Sequence, residues 1–121
     1  MSWMTVRLEL ARTPQFPEGS AEHGYQLHVP VRADGLIDAE EVAAARERAT
    51  AFRFWPDERD RKGYVIRTGR GWAISYALGE DDDEGVFHLE THALRPGNYL
   101  TLTGADGASQ PFRIAAMEPL R

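Results

Sequence analysis

Cysteine is absent from the 121 residues of this chain. Its absence removes disulfides, thiolate nucleophiles and cysteine-based zinc or iron–sulfur sites together. Long apolar runs are missing as well: no stretch approaches the ~18 consecutive apolar residues of a membrane helix. The opening MSWMTVRLEL has no basic start followed by an apolar core of signal-peptide type. A soluble, cytoplasmic protein with no membrane partner is the expectation.

Catalytic signatures are equally scarce. The serines are Ser2, Ser20, Ser75 and Ser109, and none sits in a GxSxG elbow. No phosphate-binding loop or GxGxxG run occurs, and turn chemistry accounts for Gly69-Arg70-Gly71. There is no internal repeat and no low-complexity segment beyond one acidic block. The reading leans away from an enzyme.

The net charge is −5, which argues against nucleic acid as a partner, because phosphate binding needs a concentrated basic face. The charge is unevenly spread. Between Arg46 and Arg70 eight basic residues stand against four acidic ones, whereas Glu80 to Glu84 is an unbroken run of five acids. Such segregation favours oriented association, with a protein partner or with a second copy.

What the sequence does contain is alternation. Val6, Leu8 and Leu10 share one side of a first strand, and Tyr25, Leu27, Val29 and Val31 share one side of a second, with Gln26 and His28 opposite. Pro30 marks the second as an edge strand or a strand end, since proline cannot donate to a ladder. Asp38 opens a helix over about 38–49, with Glu41 at capping-box spacing and a thin stripe of Val42, Ala45 and Ala49. Phe52, Arg53 and Phe54 return to strand composition before Pro56.

From Tyr64 to Thr103 four β-rich runs are separated by Gly, Asp, Asn and Pro clusters, the pattern of an antiparallel meander. In Trp72 to Leu78 the large residues Trp72, Ile74, Tyr76 and Leu78 face one way, while Ala73, Ser75 and Ala77 face the other. That small face suits close packing or a cavity wall. Val86 to Leu94 reads as one strand, and Phe112 to Met117 as the last. The expected fold is α+β, mainly β: a curled antiparallel sheet or small β-barrel of about seven to eight strands with one covering helix, in a single domain spanning 1–121.

Three constellations carry candidate chemistry. His88, Glu90 and His92 lie at period-two spacing on one side of a strand, an acceptable ligand set for a divalent transition metal if His28 or His23 swings in from another strand. The alternative is an ordinary solvent-facing stripe, and no cofactor is otherwise expected. Asp81, Asp82, Asp83 and Glu84 lack the alternate spacing of a calcium loop. Trp55 with Arg59, Arg61 and Lys62 makes an interaction surface if the indole is exposed. Arg95-Pro96-Gly97-Asn98-Tyr99-Leu100, with Pro111-Phe112-Arg113 beyond it, is similar in grammar to a strand pair of flavin-reductase barrels. That family carries an Arg-x-Tyr-Ser motif on the second strand, whereas Arg113 is followed here by Ile114 and Ala115 with no tyrosine and serine, so no flavin site is carried over. The chain is expected to be a non-enzymatic binding or protein-interaction domain; the alternative is a metal- or small-ligand-binding protein.

Overall fold

Alternate burial along Ser2–Leu10, Ser20–Val31, Arg61–Thr68, Tyr99–Thr103 and Ser109–Pro119 turns one face of each strand inward, and eight strands close on themselves. The computed structural model describes residues 1–69, 71–76, 84–87, 93–104 and 107–120. The elements are β1 (Ser2–Leu10), β2 (Ser20–Val31), α1 (Ala39–Ala44), a 3-10 turn (Arg46–Arg48), β3 (Thr50–Phe54), β4 (Arg61–Thr68), β5 (Gly71–Ser75), β6 (Glu84–Phe87), β7 (Tyr99–Thr103) and β8 (Ser109–Pro119). Each strand pairs antiparallel with the next in sequence, and β1 pairs with β8 to complete the barrel. The expected mainly β architecture with one small helix is the architecture observed.

The core follows the alternation. Val6, Leu8 and Leu10 of β1 meet Tyr25, Leu27 and Val29 of β2 inside the barrel, with Phe112 and Ile114 from β8 on the other side of β1 and Ile74 and Leu100 from β5 and β7. Burying each of these aliphatic or aromatic side chains contributes about 1.5–3 kcal/mol, so this interior is the main source of stability. Gly24 lies in β2 opposite Glu9 and Phe54, where the β1–β2 register shifts at a bulge. Two chains approach so closely there that only glycine fits.

Two expectations need adjustment. The helix does not run over 38–49. Asp38 caps it as read, its carboxylate accepting the Glu41 N–H at 3.1 Å, but the α-helix ends at Ala44 and Ala45 adopts φ −138°, ψ 56°. No glycine or proline ends it. The stop comes from the sheet: the Ala49 carbonyl accepts the Val65 N–H at 2.9 Å and Thr50 begins β3, so helical geometry cannot reach that far. Of the expected strand Val86 to Leu94, Val86 and Phe87 belong to β6, Ala93 and Leu94 lie outside any strand, and 88–92 lie outside the described residues. Leu94 N–H donates to Gly35 C=O at 2.7 Å, and its side chain enters the core at 2 % exposure.

Pro30 resolves as a strand end. β2 is an interior strand, but its pairing with β3 stops at His28–Thr50, two residues short of the proline. Pro30 pairs instead with Trp3 of β1, and its carbonyl accepts the Asp38 N–H. Arg48 of the 3-10 turn stacks over Trp3 at 4.3 Å. Among the described residues no helix is long and apolar enough to cross a membrane.

Candidate functional site: a groove where β3 falls short

Unequal strand lengths leave a hollow beside the helix. β3 has five residues and pairs with β4 only over Arg61 to Tyr64, whereas β4 continues to Thr68. β2 also runs on past its last β3 partner. Where β3 does not reach, α1 packs on β2 and the 3-10 turn packs on β4. Val42 from α1 thereby joins Ile37 and Val65 in the core.

The helix covers that opening without filling it. A groove of about 810 Å³ remains between α1, the 3-10 turn, β4 and β5, open to solvent along one side. Its floor is apolar: Val42, Val65 and Ile66, with Ala39 and Ala43 from the helix leaving room above them. Tyr64, 43 % exposed, and Tyr76 stand at its sides, and Ser75 supplies a hydroxyl. The small-residue face of β5 expected from the sequence is thus split in use. Ala73 is buried and Ser75 lines the groove.

Charge is arranged around this apolar floor. Among the described residues, Arg46 and Arg67 line the groove with a single acid, Glu47. Arg61 stacks over the Tyr76 ring at 3.9 Å, and Lys62 lies 6.0 Å from the Tyr64 centroid. Two of the four residues of the expected interaction surface therefore border the groove. Arg59 is exposed in the turn before β4.

Trp55 stands elsewhere. It is half-buried at the opposite end of β3, edge-on to His23 at 4.7 Å and 6.5 Å from Phe112, with Arg53 stacked on it at 4.0 Å. Phe16 and Tyr25 extend the same aromatic plug. Arg53 is its electrostatic centre: its guanidinium donates to Glu58 at 2.9 Å and also hydrogen-bonds Tyr25. Burial by itself lowers the Arg53 pKa. The hydrogen bond to Tyr25 and the charges of Tyr25 and Glu58 outweigh that effect and leave it raised.

His88, Glu90 and His92 lie outside the described residues, as do Asp81, Asp82 and Asp83. The two histidines that could have joined the stripe are engaged otherwise. His23 Nδ1 is 2.7 Å from Ser20 Oγ, and His28 Nδ1 is 3.3 Å from Thr50 Oγ1. Burial lowers the His28 pKa. Among the described residues no group of three or more His, Asp or Glu side chains could hold a metal ion.

A second hollow of about 350 Å³ beside Tyr99 and Arg113 is lined mostly by polar groups, among them Glu9, Arg12, Glu18 and Arg113. Glu9 accepts Arg7 Nε at 2.8 Å and lies 3.9 Å from Arg113. Of these two hollows among the described residues, the helix-side groove combines an apolar floor with cations at its edge. No protein-family model, curated protein or solved structure matches the chain.

Proposed function

We propose that this chain is a non-enzymatic binding domain that holds a small, partly apolar molecule in the groove between α1 and β4. The observation that carries the reading is the groove's composition: an apolar floor, a few polar groups and a volume inside the ~300–1,000 Å³ range of small-molecule sites. Among the described residues no histidine lines it, and Glu47 is the one carboxylate that does. Binding is favoured over turnover for that reason.

A protein partner docking through Trp55, Arg59, Arg61 and Lys62 is the weaker reading. Trp55 is spent on the plug, and among the described residues the exposed large apolar ones are Met1 ahead of β1, Tyr64 in β4 and Tyr99 in β7. Protein interfaces usually gather such residues into one patch.

The test uses a neutral solvatochromic dye titrated into the full chain. Saturable binding at one dye per chain is expected, weakened at least about tenfold in Ala43→Trp. Ala43 is exposed on α1, so a large side chain there fills the groove without entering the core. Equal binding by the variant would refute the site.

A further inference from the structure

We infer that the natural ligand of this groove is an amphipathic carboxylate, its apolar body on the Val42–Val65–Ile66 floor and its head on Arg46. The inference rests on the reading of the groove as a small-molecule site and adds the ligand's chemical class.

Arg46 differs from most arginines of the barrel. Arg7 pairs with Glu9, Arg32 with Asp34 and Arg53 with Glu58, all within 3.0 Å. Arg48 lies on Trp3. Arg46 lines the groove, is exposed and makes no ion pair among the described residues. Lys62, beside Tyr64, likewise makes none.

A guanidinium at the lip of an apolar cleft presents a planar fork of donors that matches a carboxylate in two parallel hydrogen bonds. Low-dielectric walls focus the field of such a group, and the surrounding Arg61, Lys62 and Arg67 give it the same sign. The local positive field stands out in a chain whose net charge is −5.

Each simpler ligand leaves part of the site unused. A bare inorganic anion would leave the apolar floor wet. A neutral apolar molecule would leave Arg46 without a partner, and a cation would meet like charge. An apolar body with one anionic head uses both halves. Among the described residues Glu47 is the one lining group opposed to it, so its removal should strengthen binding.

The experiment is calorimetric titration of the full chain with decanoate, decanol and decylammonium, each below its aggregation threshold. Decanoate is expected to bind about tenfold more tightly than decanol, with decylammonium the weakest. Arg46→Ala should weaken decanoate about tenfold while leaving decanol unchanged, Arg46→Lys should fall between, and Glu47→Gln should strengthen decanoate severalfold. Thermal melts check that each variant folds; Arg46 and Glu47 are both exposed. Decanol binding as tightly as decanoate, or an equal loss of both ligands in Arg46→Ala, would overturn the assignment of the head while the groove stands. If none of the three binds and the neutral dye also fails, the groove reading falls, and the inference with it.

Discussion

Alanine at Gly24 is expected to destabilise the barrel by about 2–3 kcal/mol, although it adds a single methyl group. Gly24 sits in β2 between Glu9 of β1 and Phe54 of β3. A Cβ built there falls well inside van der Waals contact of the Leu8 carbonyl oxygen, 3.0 Å from that carbonyl's carbon and 2.9 Å from Phe54 Cζ. The phenyl ring can turn away, but the Leu8 backbone is held in the β1–β2 ladder. Relief requires parting two strands at the bulge. Overpacking of this kind costs ~1–3 kcal/mol, and a clash with backbone belongs at the upper end. Alanine returns only about 0.4–1 kcal/mol by restricting the unfolded chain.

For 121 residues, an unfolding entropy of ~2.1 cal/mol/K per residue converts this to a Tm lower by roughly 8–12 °C. Thermal and urea melts followed by circular dichroism supply the measurement. Gly69→Ala is the control: a Cβ there meets nothing within 4 Å, and a change within about 0.5 kcal/mol is expected. Adding Phe54→Leu to Gly24→Ala should recover little. If Gly24→Ala melts within about 2 °C of the parent, or Phe54→Leu restores it, the backbone contact is not what demands glycine.

Two further outcomes follow from the plug and from β2. Arg53→Met removes the Glu58 ion pair and the hydrogen bond to Tyr25 while keeping most of the apolar stem, so urea melts should show a loss of about 2 kcal/mol. A shift in tryptophan emission should accompany it, because Arg53 stacks on Trp55; an unchanged urea midpoint would refute that role. At His28, burial depresses the folded-state pKa below 6.5, so the unfolded chain takes up its proton first as pH falls. The resulting stability is complete above about pH 6.5 and is lost on descending through the depressed folded value. Urea midpoints measured down that window should fall for the parent and flatten in His28→Gln; an identical slope in both would exclude His28 as the source.

Much of the wall could be read from the residues themselves. Val6, Leu8 and Leu10, or Tyr25, Leu27 and Val29, declare a buried side by period-two spacing alone, and all are inside the barrel. Asp38 with Glu41 announces where the helix starts, because capping is local chemistry. Its end was illegible for the converse reason. Ala45 resembles any helical alanine, and only the distant demand of Val65 on the Ala49 carbonyl stops the turn.

The groove was legible in part. Ser75, on the small-residue face of β5, signalled a place where something approaches closely. Arg46 and Tyr64 gave no such sign, because the hollow arises from a mismatch in length between β3 and β4. Arg53 could have been found. Its parity places it with inward Ala51, opposite Tyr25, but a guanidinium is so seldom buried that alternation was outweighed. A small barrel was one of the two expected forms, but the register and the pairing of β1 with β8 could not be read, since alternation separates inside from outside without naming neighbours.

That closure also decides how the barrel would fail under tension. Because β1 and β8 run antiparallel, Met4 lies against Pro119 at one end of their seam and Leu10 against Phe112 at the other. The chain therefore leaves the barrel on both sides from the same point, where Leu120 N–H reaches Trp3 C=O at 2.8 Å. A pull on the flanking segments loads the seam one rung at a time, like a zipper, instead of shearing the whole ladder at once. Strands tethered in this way yield at low force even when the folded state is stable at rest, and peeling either one restores the two open edges that closure had removed.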